Sequence, residues 1–196
     1  MQQFSTLAVT LTDQQIESGL EKIEKGLCKY LAIQERFGEL DGQPLHNDAE
    51  FKKSVNGFYR IRQKPANWYD TFYALLDESR GTKPDFATVL HKLYDGTKRF
   101  EASFASKLLA TIDPQMPVID SVVLKHMNVK IPVRKGENYQ ERHDAACALH
   151  SAMSRCYTDY LTSERGQRLI AQFRKNYPEA DISTVKMLDL VLWQTR

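Results

Sequence analysis

The chain has 196 residues, of which 42% are hydrophobic, and 27 basic against 25 acidic residues leave a formal net charge of +2. This length and apolar content predict one domain, or one with a small N-terminal lobe, that folds without a metal or disulfide bonds, and the charge alone does not indicate a nucleic-acid partner. Three cysteines without Cys-x-x-Cys spacing argue against a zinc ribbon and a disulfide framework, and we therefore expect a cytoplasmic protein. No stretch approaches the ~18 apolar residues of a membrane span, so we expect no membrane partner.

The N-terminal third predicts two helices. Thr12 with Gln15 forms a capping box, and an apolar repeat then indicates one long amphipathic helix as far as Gly38. After a loop over residues 39–46, Asn47 is expected to cap a short helix that runs towards Asn56.

The next segment mixes extended and helical signals. Residues 58–64 interleave aromatic and basic side chains, which is typical of a short strand or an extended arm. Apolar spacing predicts a helix over residues 67–79, and Thr82 with Asp85 predicts the cap of the following one.

A tight turn at residues 95–97 is expected to open an amphipathic helix. Its predicted buried face comprises Phe100, Phe104, Ala105, Leu108 and Ile112. A proline-punctuated loop follows, and Asp120 is placed to cap the next helix.

The C-terminal third predicts a loop over residues 127–137, with a possible short strand at residues 129–131 as one alternative. Three helices follow, the first over residues 139–161, the second capped by Ser163, and the third beginning at Asp181 or Ser183 and ending near Trp193. The predicted class is all-α, a bundle of about eight helices.

Two lysines and an aspartate carry the chemistry that the sequence suggests. Lys107 is predicted at one edge of the buried helical face and Lys98 near the other, where partial desolvation can free a nucleophilic amine. The alternative is that each stem covers apolar surface while the ammonium stays in water. Asp120 at a helix start is expected to stay ionised, because backbone amides and the helix dipole favour the anion.

The order of these motifs resembles the helix-hairpin-helix DNA glycosylases of the 8-oxoguanine glycosylase kind. In that family a turn with Gly and Lys opens a helix, and a Pro-Val-Asp run opens the next one. Here Pro117 and Val118 precede Asp120, with Ile119 inserted. Lys98 follows Gly96 and Thr97 without the family's second glycine, whereas Lys107 lies nearer the aspartate in sequence.

The resemblance implies a function as well as a fold. In the family the lysine attacks the sugar carbon that holds a damaged base, and the aspartate assists departure of the base after it has been flipped from the stack. By this resemblance Lys98 or Lys107 acts with Asp120, and Gly96 and Thr97 belong to a hairpin that binds DNA phosphates.

Other clusters have less specific interpretations. His143, Cys147 and His150 share one side of a helix, but apolar neighbours favour an ordinary packed stripe over a metal site. Two basic clusters are candidates for phosphate contacts, with a solvated face as the alternative for each. They consist of Arg60, Arg62 and Lys64, and of Lys125, His126, Lys130, Arg134 and Lys135.

The sequence therefore predicts a DNA-binding glycosylase and lyase that acts on damaged duplex DNA without a cofactor. Its alternatives are a catalytically silent helical module that binds nucleic acid or protein, and a purely structural all-α protein.

Overall fold

All regular structure in the described part of the chain is helical. The computed structural model of the protein describes residue 4, residues 7–129 and residues 138–195. Within them lie ten α-helices, a 3-10 helix (Leu45–Asn47) and no strand, which confirms the all-α class. In chain order the α-helices are α1 (Asp13–Lys22), α2 (Glu24–Glu39), α3 (Ala49–Tyr59), α4 (Ala66–Ser79), α5 (Phe86–Thr97), α6 (Ala102–Ile112), α7 (Ser121–His126), α8 (Tyr139–Thr162), α9 (Glu164–Asn176) and α10 (Thr184–Gln194).

The chain divides into two units by its internal contacts. The central unit is Glu24–Asp113 and holds α2 to α6. The terminal unit combines Met1–Ile23 with Pro114–Arg196, so that α1 shares a unit with α7 to α10. None of the helices in the described residues combines the length and the apolar character that a membrane crossing needs.

The central unit is built on a helical hairpin of α5 and α6, with α4 packed against both helices. Trp68 and Phe72 stack with ring centroids 5.1 Å apart, and Phe104 meets the Trp68 ring edge-on at 5.1 Å. Helix α6 is buried around nearly its whole circumference, from Ala105 to Thr111. A helix that is enclosed in this way has few side chains at the boundary between a buried and a solvent-exposed face.

The terminal unit is organised around α10, which packs against α1, α7, α8 and α9. Residues 186–192 of this helix are all buried. The turn from α8 to α9 requires Gly166, because a Cβ atom there would lie 2.0 Å from the carbonyl oxygen of Tyr160.

The first predicted helix is wrong in one respect. The capping box of Thr12 and Gln15 is present, but α1 ends at Lys22 and α2 begins at Glu24. Ile23 between them is fully buried and keeps a helical backbone conformation. The apolar repeat continues through Ile23, so the pattern contains no sign of the point where the chain leaves one unit for the other.

Two predicted caps are displaced and one predicted strand is absent. Asp48, rather than Asn47, caps α3 by accepting from the Phe51 amide. Asp85 itself caps α5, since its carboxylate accepts from the Thr88 amide, and the expected cap at Thr82 is wrong. An aspartate competes well with a neighbouring Asn or Thr for this position.

The prediction of a strand or extended arm over residues 58–64 is wrong for residues 58 and 59, which belong to a helix. Helix α3 continues to Tyr59, and Arg60 ends it in the left-handed region with φ 56° and ψ 41°. The helical spacing of Phe51, Val55 and Tyr59, all buried, outweighs the β propensity of the aromatic pair.

The C-terminal predictions are largely confirmed. Asn138 caps α8 and forms a capping box with Glu141 in the first turn of the helix. Ser163 caps α9, and Ser183 rather than Asp181 caps α10. Each cap places a side-chain oxygen on a first-turn amide. The predicted strand at residues 129–131 falls largely outside the described residues.

Candidate functional site

The helical hairpin joins α5 to α6 through Lys98–Glu101, and no glycine forms its turn. The Lys98 amide donates to the Tyr94 carbonyl at 2.6 Å, and Lys98 adopts φ 55° and ψ 24°. The Thr97 hydroxyl donates to the Leu93 carbonyl at 2.6 Å and accepts from the Arg99 amide at 3.2 Å. Thr97 therefore closes the hairpin with its side chain.

Gly96 does not form the tight turn that was predicted. It lies in the last turn of α5, where an added Cβ would meet the Thr71 methyl group at 2.4 Å. Gly96 thus allows α5 to approach α4 closely. Its predicted role in phosphate binding stays a prediction.

Lys98 is the C-cap of α5, and not a residue of the helix that follows. Its side chain is 74% exposed, and its Nζ lies 3.8 Å from an Asp95 carboxylate oxygen. The ammonium also lies 5.9 Å from the centre of the Tyr94 ring. Most of the Lys98 side chain is therefore in contact with water.

Lys107 lies inside the central unit, although it was predicted at the edge of the buried face of its helix. The residue is 7% exposed, and its Nζ donates to the Tyr59 carbonyl at 3.3 Å. The ammonium is 5.0 Å from the centre of the Phe104 ring. The prediction failed because α6 packs on both sides of the face that a helical wheel marks as its boundary.

Asp120 caps α7 as predicted. Its carboxylate accepts from the Val122 amide at 2.9 Å, and the residue is half-buried. The preceding loop is held from two sides, since Ser183 Oγ donates to the Pro114 carbonyl at 2.5 Å and His150 Nε2 lies 3.2 Å from the Pro117 carbonyl. The carboxylate therefore stands at the end of an anchored loop.

The buried His150 makes the stability of the fold dependent on pH. Burial lowers the pKa of His150 from 6.5 to about 4, and the bond to Pro117 offsets only part of this effect. The unfolded chain therefore binds this proton more readily between these values, and the contribution of a neutral His150 is present above pH 6.5 and lost as the pH falls towards 4.

We predict that His150→Gln, which keeps a donor but cannot titrate, flattens the dependence of stability on pH. Between pH 6.5 and 4.5, the free energy of unfolding of the natural protein should fall by about 2–3 kcal/mol more than that of the variant. Urea denaturation at several pH values measures this difference. Parallel pH profiles for the two proteins would contradict it.

A buried ionic network behind α7 was not recognised in the sequence. Lys186 Nζ lies 3.1 Å from one oxygen of Asp189, and the Tyr157 hydroxyl donates to the other at 2.6 Å. Lys186 and Asp189 are 0% exposed. Burial raises the pKa of Asp189, while Lys186 and Tyr157 oppose this effect and the charge of Asp120 adds to it. The sequence does contain a signal for this network, because a Lys and an Asp three positions apart in an otherwise apolar helix indicate a buried ion pair.

The two predicted basic clusters differ in how much the structure describes. Lys125 is exposed at the end of α7, whereas Lys130, Arg134 and Lys135 lie outside the described residues. His126 is used internally, because its Nε2 contacts the Thr195 carbonyl and its own carbonyl accepts from Thr10 Oγ1 at 2.9 Å.

In the other cluster, Arg60 and Arg62 are exposed but Lys64 is not. Lys64 Nζ lies 2.5 Å from a carboxylate oxygen of Glu101, and the two side chains are 15% and 14% exposed. The ammonium is 5.1 Å from the centre of the Trp68 ring and 4.5 Å from that of Phe104. These four residues form one cluster. Lys64 and Glu101 are 37 positions apart, so no local pattern reveals the pair.

The His and Cys stripe of α8 is partly packed. Cys147 Sγ lies 3.8 Å from His143 Nδ1, while His150 is buried against the loop at Pro117. Among the described residues, no group of three or more His, Cys, Asp or Glu is arranged to hold a metal ion.

The predicted catalytic residues are distributed over both units. Lys98 and Lys107 belong to the central unit and Asp120 to the terminal unit, so their pairing stays a prediction. Comparison with models of known families, with curated proteins and with solved structures found no match to this chain.

Proposed function

We propose that this protein binds damaged duplex DNA and removes a base, in the manner of the helix-hairpin-helix DNA glycosylases. The observation that carries the proposal is the order of elements, in which the α5–α6 hairpin leads into an anchored proline loop and then into a helix capped by Asp120. This order is the one that the resemblance implies.

The proposed role of Asp120 follows from its position. Cleavage of a glycosidic bond develops positive charge on the sugar, and a fixed carboxylate stabilises that charge without reorganising. The loop anchors at Pro114 and Pro117 and the capping bond to Val122 restrict where the Asp120 carboxylate can lie. The target base must leave the stack to reach such a group.

The proposed DNA contacts are made by exposed cations of the hairpin. Lys98 and Arg99 are both exposed beside the turn that Thr97 closes. Contacts to phosphates position a protein on the duplex without reading its sequence. The net charge of +2 is small, so local groups rather than a general basic character would supply the attraction.

A catalytically silent helical module that binds nucleic acid or protein is the second candidate. The placement of the two predicted lysines favours it, because Lys107 is 7% exposed, whereas the Lys98 side chain is 74% exposed beside Asp95. Neither environment is typical of a nucleophilic amine.

Binding and excision assays with one panel of duplexes separate these candidates. The panel contains undamaged, oxidised, deaminated and abasic DNA, and we expect tighter binding and base release with at least one damaged duplex. Lys98→Gln with Arg99→Gln should weaken binding and reduce the slope of log affinity against log salt by about 1–2. Lys25→Gln with Lys29→Gln, on exposed positions of α2, is the matched control.

The outcomes have distinct meanings. Binding without base release on any duplex favours the silent module. An absence of binding to every duplex at low salt would reject both DNA-binding candidates.

A further inference from the structure

We propose that the protein contacts the DNA backbone through two loops at once, and that Arg60 and Arg62 bind phosphates beside the hairpin cations Lys98 and Arg99. This inference rests on the proposed function and adds a second contact segment to it. We call these four exposed cations the two-loop surface. All four belong to the central unit, so the inference requires no contact between the units.

An ion pair joins the two loops. The first loop consists of residues 60–65, between α3 and α4, and the second of residues 98–101, between α5 and α6. Lys64 Nζ of the first loop lies 2.5 Å from a carboxylate oxygen of Glu101 in the second, and both side chains are largely enclosed. Glu101 is the one acidic residue of these loops, so the pair neutralises it and leaves the exposed cations without an acidic neighbour inside the loops.

The start of the first loop is anchored to the same helix, α6. Lys107 Nζ donates to the Tyr59 carbonyl at 3.3 Å, and the Thr111 hydroxyl donates to the Tyr59 hydroxyl at 3.2 Å. The anchors at Glu101 and Lys107 are separated by about 9 Å along the axis of α6. Each DNA strand carries one phosphate per about 3.4 Å of helix axis, so both loops lie close enough to contact one duplex.

The backbone conformation also distinguishes these loops. Arg60, Gln63 and Lys98 have positive φ angles of 56°, 56° and 55°. They are three of the four residues other than glycine with a positive φ in the described part of the chain. The left-handed region crowds the β-carbon of such residues, and residues that are held there concentrate at sites that bind ligands.

The helix dipole explains only part of the arrangement. Arg60 and Lys98 are the C-caps of α3 and α5, where the partial negative charge of a helix end favours a cation. Arg62 and Arg99 lie beyond those ends. Within the described residues, only Lys98 of the four has a carboxylate partner, Asp95 at 3.8 Å. The loops therefore form a local positive surface on a chain whose net charge is only +2.

Phosphate groups are the partner that suits this surface. Three of its four cations are arginines, whose planar guanidinium groups match the oxygens of a phosphate with paired N–H donors. Such contacts position a protein on the duplex without reading its bases, so intact and damaged duplexes should both engage the surface. An acidic protein segment, which would present carboxylates instead, is the competing partner.

Fluorescence anisotropy with a labelled undamaged duplex, measured over a range of salt concentrations, tests the inference. Arg60→Gln with Arg62→Gln should lower the affinity at low salt about tenfold and reduce the slope of log affinity against log salt by about 1–2. Both side chains are exposed, so thermal unfolding should be unchanged. Lys25→Gln with Lys29→Gln is again the matched control, because it removes the same charge from exposed positions of the same unit and should leave affinity and slope unchanged.

Combining the substitutions of both loops shows whether the loops contact one duplex together. The quadruple variant at Arg60, Arg62, Lys98 and Arg99 should have a slope about 2–4 lower than the natural protein, because each loop releases its own counterions. A quadruple variant with the slope of the Lys98 and Arg99 variant would overturn the inference.

Glu101→Gln tests whether the ion pair places the loops. The substitution removes a carboxylate and releases the Lys64 ammonium, so attraction alone predicts tighter DNA binding. We expect binding to weaken instead, by about two- to fivefold, because the loops lose their fixed spacing. Lys64→Arg, which keeps the ion pair, should bind as the natural protein does. Tighter binding by Glu101→Gln would overturn the role of the pair.

Failure of this inference is distinguishable from failure of the proposed function. Natural affinity in the Arg60 and Arg62 variant, together with weaker binding in the Lys98 and Arg99 variant, would overturn the inference and leave the proposed function standing. Displacement of the duplex by polyglutamate as effectively as by unlabelled DNA, at equal concentrations of charge, would overturn phosphate as the partner and favour an acidic protein. An absence of duplex binding at low salt would reject both the inference and the function.

Discussion

Replacement of Lys186 by methionine is expected to lower the free energy of unfolding by about 3–5 kcal/mol at pH 7. Asp189 is completely buried, and its contacts within the described residues are the ammonium of Lys186 and the hydroxyl of Tyr157. Without the lysine, the folded state must keep an uncompensated carboxylate in the core or raise the pKa of Asp189 further and bind a proton. Urea denaturation measures the loss, which should shrink as the pH falls and Asp189 becomes protonated.

The double variant Lys186→Met with Asp189→Leu separates the value of the ion pair from the damage caused by breaking it. Replacing both partners removes the buried charges, so the double variant should be more stable than the single variant. It should stay below the natural protein, because the buried Tyr157 hydroxyl loses its acceptor. The free energy of unfolding of Asp189→Leu is measured as well. If the losses of the two single variants add up to the loss of the double variant, this account is contradicted. The comparison also shows whether the stability of α10 depends on the ionic network or only on side chains that fill the same volume.

Asp120→Asn is expected to slow base release by about 100- to 1,000-fold on the duplex that the excision panel selects. The substitution removes the charge that is proposed to stabilise the developing sugar cation. It retains a side-chain oxygen that can accept from the Val122 amide, so the cap of α7 and the fold should persist. Single-turnover base release measures the effect, and thermal unfolding verifies that stability changes by no more than about 0.5 kcal/mol.

Asp85→Asn provides the matched control for this experiment. Asp85 is also an N-cap aspartate, whose carboxylate accepts from the Thr88 amide at 2.7 Å, three residues further on rather than two as at Asp120, and it is exposed and has no proposed catalytic role. Its variant should release the base at the natural rate. Equal losses in both variants would show that the effect arises from capping, and an unchanged rate in Asp120→Asn would remove Asp120 from the site.

Local signals predicted much of the helical framework. Thr12, Asp120 and Ser163 were identified as caps, and Ser183 as one of two candidates, because a side-chain oxygen on a first-turn amide is an interaction within a few residues. The displaced caps at Asp48 and Asp85 lie one and three residues from the predicted positions, where two suitable side chains competed for one helix start.

The environments of the candidate residues could not be predicted in the same way. A helical wheel placed Lys107 at an edge of α6, but burial depends on how many helices surround α6, and α4 and α5 both pack against it. Gly96 was expected to form a turn because the sequence does not show that Thr71 of the neighbouring helix needs its space. Both errors concern partners that are distant in the chain.

The amino-acid order alone was sufficient for the all-α class, most helix ends and the cap at Asp120, because helix periodicity and capping act over one or two turns. Packing decided which charges are paired and which are enclosed. Lys64 meets Glu101 across 37 positions, and Tyr157 meets Asp189 across 32. Such contacts form only when separate helices have been brought together, so the environment of every candidate lysine is a property of the folded units.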